Sequence, residues 1–149
     1  MSKIKAMRDR LRTATPEVMR SKVLQSVENN EETAVNLNTD QLFAGKLANG
    51  QDMPEYSLVS VLQFGKPPGP YRLYETGDFY RGFFVDASKF PIVFDSKDLK
   101  TPSIMQLIES KDQDPNEIFG LNKQNRTDLA RHYLLPELQG YVRSLIRVR

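Results

Sequence analysis

Five carboxylates punctuate the middle of this 149-residue chain: Glu75, Asp78, Asp86, Asp95 and Asp98. General acid–base work needs two such groups in one concavity, with environments that push their pKa values apart. Spacing alone supplies neither the concavity nor the environments. The run Asp95-Ser96-Lys97-Asp98 holds the residue types of a nucleophile and a base, but in no recognised arrangement. It reads as a polar turn whose side chains cap the backbone that follows. A hard cation could use Asp95, Asp98 and a carbonyl, yet the calcium-loop spacing with its glycine and distal glutamate is missing. His132, the single histidine, stands at the start of an apolar helical section and reads as packing or solvation. There is no cysteine, which removes disulfides, thiolate metal sites and thiol nucleophiles together. No glycine-rich phosphate loop is present either. The expectation is no catalytic centre, no metal, no cofactor and no enzyme.

Residues 71–84 are the densest feature, with six aromatics in fourteen positions. Thr76 is placed to cap a short helix with Asp78 in its first turn, near the exposed amides. Phe79 and Phe83, four apart, are expected in the core, with Thr76 and Gly77 as structural parts of the same corner. Gly77 and Gly82 permit close approach. A buried corner accounts for this run, and so does a buried corner that also forms a seam between subunits. For the seam, Tyr71, Arg72, Tyr74, Tyr80, Arg81 and Phe84 cover area while the polar tips keep their contacts.

Charge is uneven although the net is only +2. Residues 1–12 carry five positive side chains, Lys3, Lys5, Arg8, Arg10 and Arg12, against one negative; residues 31–125 carry nine positive and fourteen negative. Basic ends and an acidic middle suit self-association as well as nucleic acid. The basic start has no aromatic partner for base stacking, so a solvated surface, a protein contact and a phosphate contact all remain open for it. No stretch approaches 18 apolar residues and no apolar core follows the basic start, so neither a membrane span, a membrane partner nor a cleaved leader is expected.

The elements that must position these residues read as follows. Residues 1–14 form a basic, mobile arm, and residues 15–149 a single domain. Thr15 caps a helix with Pro16 at its first position. Val35 and Leu37 start a brief extended piece, and Thr39 caps a turn. Tyr56, Leu58, Ser60, Leu62 and Phe64 share one strand face, a short helix being the alternative. Gly65-Lys66-Pro67-Pro68-Gly69-Pro70 is an exposed loop able to reach a neighbouring subunit. Residues 83–87 and 90–94 are a strand pair across Ser88-Lys89, with Pro91 demoting the second strand to an edge. Thr101-Pro102 starts an amphipathic helix, Asn122 caps another, and Pro136 bends or divides the last. Helices at both ends of a strand-rich middle make an α+β domain with a small, mainly antiparallel sheet.

The run Leu73-Tyr74-Glu75-Thr76-Gly77-Asp78-Phe79-Tyr80-Arg81 resembles the Leu-x-x-Thr-Gly-x-Leu/Phe signature of the tail-component and tail-completion superfamily of tailed bacteriophages, the small neck proteins between portal and tail. Asn38-Thr39-Asp40-Gln41-Leu42-Phe43-Ala44-Gly45, Tyr56-Ser57, Thr76 to Tyr80, Asp95-Ser96-Lys97 and Ile118-Phe119-Gly120-Leu121 follow the order seen in uncharacterised phage and prophage proteins of Bacteroides-type hosts. The resemblance covers about residues 36–146. It implies a long helix packed across a small curved sheet and a homo-oligomeric ring around the DNA channel. It also implies portal, connector and tail proteins as partners, double-stranded DNA passing non-specifically, and a place in the virion after synthesis in the host cytoplasm. In such a ring the cations of the basic start would face the channel or a partner. The alternative is a small phage nucleic-acid-binding or packaging accessory protein that uses its basic termini.

Overall fold

The computed structural model describes residues 2–147. Its helices are α1 (Lys3–Leu11), α2 (Pro16–Asn29), α3 (Glu31–Phe43), α4 (Leu58–Phe64), α5 (Asp78–Arg81), α6 (Thr101–Glu109), α7 (Lys123–Leu129) and α8 (Leu135–Ile146). Strands β1 (Phe83–Asp86) and β2 (Val93–Ser96) lie between α5 and α6. The two strands form one antiparallel sheet, with Phe83 opposite Ser96 and Asp86 opposite Val93. The fold is α+β, a two-stranded sheet packed with the N-terminal and C-terminal helices. No described helix is long and apolar enough to cross a membrane.

Several boundaries follow from local chemistry. The Thr15 hydroxyl accepts from the Val18 N–H at 3.2 Å, with Pro16 at the first helical position. Asn122 caps α7 in the same way, accepting from Asn125 at 2.9 Å. Thr101 does not cap α6: it is the first helical residue, buried, and its hydroxyl donates to the Ser96 carbonyl at 3.4 Å.

Three segments depart from the sequence expectation for physical reasons. The extended piece at Val35 and Leu37 and the turn at Thr39 are interior to α3. Glu31 and Glu32 favour its N-terminus electrostatically, and Ala34, Asn38, Gln41 and Leu42 are buried on one face. Half of that face is polar, which hides the apolar period. The strand expected through residues 56–64 is the helix α4, capped by the Ser57 hydroxyl accepting from Ser60 N–H at 3.1 Å and ended by Gly65 at φ 65°. None of its residues is buried, so its alternation of types reports no packing. The second strand begins at Val93, which makes the link from Asp86 six residues rather than a two-residue turn.

The segment expected as an arm carries a helix. Helix α1 packs along α8, with Ala6 and Met7 half-buried and Arg10 donating to the Arg147 carbonyl at 2.8 Å. The division expected at Pro136 falls just ahead of it. Residues Ala130–Leu134 form a π-helical turn joining α7 to α8, and the Leu135 N–H reaches the Ala130 carbonyl. Proline lacks an N–H and its ring would clash with the carbonyl four residues back; the wider turn places that register change before the proline.

Two apolar clusters fill the interior. One joins Leu42, Leu47, Met53, Tyr71, Phe79, Phe83, Ile108 and Ile118; the other joins Val27, Ala34, Val85, Ala87, Leu121 and Leu129. Between them the backbone of residues 118–122 runs against α3. Asn38, fully buried, donates to the Ile118 carbonyl at 3.1 Å and accepts from the Gly120 N–H at 2.9 Å. Gln41 donates to the Gly120 carbonyl at 3.1 Å and accepts from the Asn122 N–H at 2.8 Å. Asn38→Ala leaves one buried donor and one buried acceptor without partners, and a loss of about 2–4 kcal/mol is expected. Urea unfolding of the purified protein reads this directly, and an unchanged midpoint would show that water takes over both bonds.

Candidate functional site

The corner at residues 71–84 is anchored from both ends. Tyr71, expected at a seam, is instead inside the chain: it is 6% exposed, its ring lies 4.6 Å from that of Tyr56, and its N–H donates to the Pro54 carbonyl at 2.8 Å. Thr76, expected in the core as a cap, is exposed and donates to Asp78 Oδ2 at 2.5 Å. Gly77, at φ 83°, takes the cap position of α5. A side chain there would also meet the Tyr74 ring and Arg81 at 3.1 Å. Behind it Phe79 and Phe83 are buried edge to face at 5.0 Å, with Phe119 5.5 Å from Phe83.

The Asp95-Ser96-Lys97-Asp98 run clamps the far side of this corner. Ser96 is buried and its hydroxyl donates to the Phe79 carbonyl at 3.0 Å while accepting from the Asp98 N–H at 3.3 Å. The Lys97 N–H donates to the Gly82 carbonyl at 2.9 Å. Gly82 is required by this approach, because a Cβ there would stand 2.7 Å from Ser96 Oγ.

On the outer face lies a connected aromatic and arginine patch. Tyr80 is half-buried, its ring 6.0 Å from Phe83 and 6.1 Å from Tyr74, and its hydroxyl donates to the Arg72 carbonyl. Phe43, from the end of α3, stands edge-on to Tyr74 at 6.2 Å and is 50% exposed; Tyr74 is 55% exposed. The Arg72 guanidinium lies 5.4 Å over the Phe43 ring. Arg81 pairs with Asp78 beside Gly77. Of the six expected seam residues, Arg72, Tyr74, Tyr80 and Arg81 therefore share one surface. Phe84, next to Phe83 on β1, points to the opposite face of the strand, where Lys97 Nζ stands 5.1 Å over its ring. Phe43 was not expected here. Its only sequence signal was its place in the Asn38 to Gly45 run.

The ionisable groups of this corner are mostly paired with neighbours. The Thr76 hydroxyl and the Arg81 guanidinium hold the Asp78 carboxyl below its usual range, and burial pushes the Tyr80 hydroxyl far above its own. Both shifts move away from neutrality. Glu75 pairs with Lys100 at 3.4 Å, Asp86 accepts from the Ser88 N–H at 2.9 Å, and Asp98 accepts from the Lys100 N–H at 2.6 Å. A groove of about 220 Å³ is lined by Tyr71, Leu73, Tyr74, Ile104 and Leu107 and also by Lys66, Glu75, Asp78 and Lys100, so two of the candidate acids and two lysines border one mostly apolar groove. Among the described residues no three His, Asp or Glu side chains are grouped to hold a metal ion. His132 is exposed on the π-helical turn.

The five cations of the N-terminal segment are exposed on or just after α1. Lys5, Arg8 and Arg12 share the face opposite Ala6 and Met7 by their spacing, and Asp9 stands 3.3 Å from Arg8 and 3.9 Å from Arg12. Arg10 is held toward the C-terminus by its bond to Arg147.

The core and the patch separate experimentally. Phe79→Ala should lower stability by about 3–5 kcal/mol, the usual cost of emptying a buried aromatic site, whereas Arg72→Ala, on the surface, should cost no more than about 1 kcal/mol. Thermal and urea unfolding of the two variants, side by side, would refute the arrangement if the two costs were alike.

No family model, curated protein or solved structure matches the chain.

Proposed function

We propose that this protein works by repeated protein–protein contact, as a neck or tail-completion ring subunit of a tailed bacteriophage that joins the portal and connector region to the tail. The observation that carries the contact reading is the outer patch of Arg72, Phe43, Tyr74 and Tyr80. Tyrosine and arginine over a packed aromatic base are the side chains in which binding energy concentrates at interfaces. Here the base is Phe79, Phe83 and Phe119, so the patch is held in shape before a partner arrives. The virion setting comes from the ordered motifs, and two pairs of those motifs serve structure: Asn38 and Gln41 bind residues 118–122, and Ser96 binds Phe79.

In a neck, copies of this chain contact one another and the portal, connector and tail proteins, and the lumen passes DNA without reading it. Closed rotational symmetry lets one heterologous contact repeat without leaving an unsatisfied end. Lys5, Arg8 and Arg12 favour a second role at the lumen, weak phosphate attraction, which suits transit because it carries no sequence information. Catalysis has no part in this reading.

Mass spectrometry and cryo-electron microscopy of particles carrying each variant provide the test. Tyr74→Ala should reduce incorporation several-fold, because the defect repeats at every subunit boundary, while the Lys5, Arg8 and Arg12 triple alanine variant should stay folded and lose salt-dependent DNA attraction. Normal tailed particles that lack this protein would overturn the assignment. So would a purified monomer that binds one DNA sequence about a thousandfold more tightly than scrambled DNA, since that is how a sequence reader behaves.

A further inference from the structure

The groove beside Tyr74 offers an apolar floor and a charge that the outer patch does not use. Its volume of about 220 Å³ is bordered by Tyr71, Leu73, Tyr74, Ile104 and Leu107. Sites that take whole small-molecule ligands run to roughly 300–1,000 Å³, so this one suits a single side chain. Tyr74 belongs to both surfaces: it lines the groove, and its ring also meets Phe43 and Tyr80 in the patch. The groove is thus continuous with the surface read above as a protein contact.

Four charged residues border the groove, Lys66, Glu75, Asp78 and Lys100. Glu75 pairs with Lys100 at 3.4 Å, and Asp78 takes the Arg81 guanidinium and the Thr76 hydroxyl. Lys66 is half-buried, and its ammonium has no ion-pair partner among the described residues. One positive charge is left beside an apolar floor. An ammonium has three donors and no acceptor, so the group that complements it is an anion.

The wall itself is held in an uncommon shape. Leu73 lies at φ 51°, in the left-handed region that a bulky residue seldom enters. The Tyr80 hydroxyl on the Arg72 carbonyl, and the packing of Leu73 against the cluster that contains Tyr71 and Phe79, keep it there. Backbone of this kind persists where its surroundings over-determine it, and it concentrates at ligand clamps.

We propose that the groove takes one aromatic side chain of a partner protein, with a carboxylate next to that side chain reaching Lys66. Tyr56, Tyr71 and Tyr74 all line the groove, and ring against ring adds to what apolar burial supplies, which favours an aromatic over an aliphatic occupant. An aromatic anchor seated in a pocket is also the element that dominates binding at protein interfaces. The proposal deepens the reading of residues 71–84 as a contact surface; it rests on that reading for the occupant being a protein, and not on the virion setting.

N-acetylphenylalanine carries both groups and serves as the probe on the purified full-length chain. Titrated to about 20 mM, well above a millimolar dissociation constant, it should move the methyl NMR signals of Leu73, Ile104 and Leu107 along one saturable curve. The methyls of Leu121 and Leu129, in the other apolar cluster, should stay where they are. N-acetylphenylalaninamide, which lacks the charge, should bind about threefold more weakly, the worth of one partly exposed charge pair. Lys66 lies after α4 and in neither apolar cluster, so Lys66→Gln should keep the fold and erase the difference by weakening the acid alone. Leu107→Trp, at a partly exposed wall position, should fill the groove and abolish binding of both probes. No saturable shift, or binding retained in Leu107→Trp, would overturn the groove as the site. Equal binding of acid and amide to the natural chain would overturn the anionic occupant, and loss of the difference in Lys100→Gln but not in Lys66→Gln would reassign the charge to an opened Glu75 pair. Shifts at Leu121 and Leu129 instead would move the site to the other cluster. None of these results depends on particle incorporation: a chain whose groove binds the probe but that is absent from tailed particles keeps the groove and loses the neck, and an inert groove in an incorporated chain loses only the groove.

Discussion

The rest of the structure depends on two amide side chains, Asn38 and Gln41, that hold residues 118–122 against α3. This short stretch runs between the two apolar clusters, giving Ile118 to one and Leu121 to the other. Its backbone therefore sits where water cannot reach every N–H and carbonyl, and partners must come from the chain. The amides supply both donors and acceptors, and Asn125 fixes the outer one by donating to Gln41 Oε1 at 3.1 Å. A strand in this place would satisfy the same groups only with a neighbour on each side. The two amides achieve it within a single chain crossing, which is why so small a sheet suffices.

The aromatic corner inherits its position from that crossing. Phe119 follows Ile118 directly and packs under Phe79 and Phe83, while Phe43 closes the helix that carries Asn38 and Gln41. The outer patch and the buried amides are thus two ends of one arrangement: α3 sets the depth of the crossing at its middle and the edge of the patch at its C-terminus. From the other side Ser96 fixes the Phe79 carbonyl. A loss at Asn38 should consequently be felt at Tyr74 and Tyr80, although neither touches it.

What the sequence disclosed follows from where the signal is local. The caps at Thr15 and Asn122, the core places of Phe79 and Phe83, and the antiparallel pairing of two apolar runs all rest on neighbours within a few residues. The α+β order was legible for the same reason. The misreadings share a different cause. In α3 the buried face includes Asn38 and Gln41, whose partners lie about eighty positions away, so the helix does not announce itself by apolar period. In α4 the exposed apolar residues mimic a strand because no core selects among them. Tyr71 and Thr76 exchanged places with the expectation, since burial there is set by the contact with Tyr56 and by the glycine cap rather than by residue type. Phe43 became visible as part of the patch only once Tyr74 and Tyr80 stood beside it.

The aromatic patch and the exposed helix α4 differ in how they are supported, and the difference bears on how each would bind. The patch lies on packed aromatic rings, so its side chains lose little freedom when covered. Helix α4 is joined to the body through two backbone hydrogen bonds and the Tyr56–Tyr71 contact. Few buried contacts and a narrow attachment are the marks of a region that opens at low free energy. A rigid patch fixes the angle between two partners, whereas a projection on a narrow stalk tolerates variation in that angle. The exposed apolar surface is thus divided between a stiff aromatic face and a yielding helix.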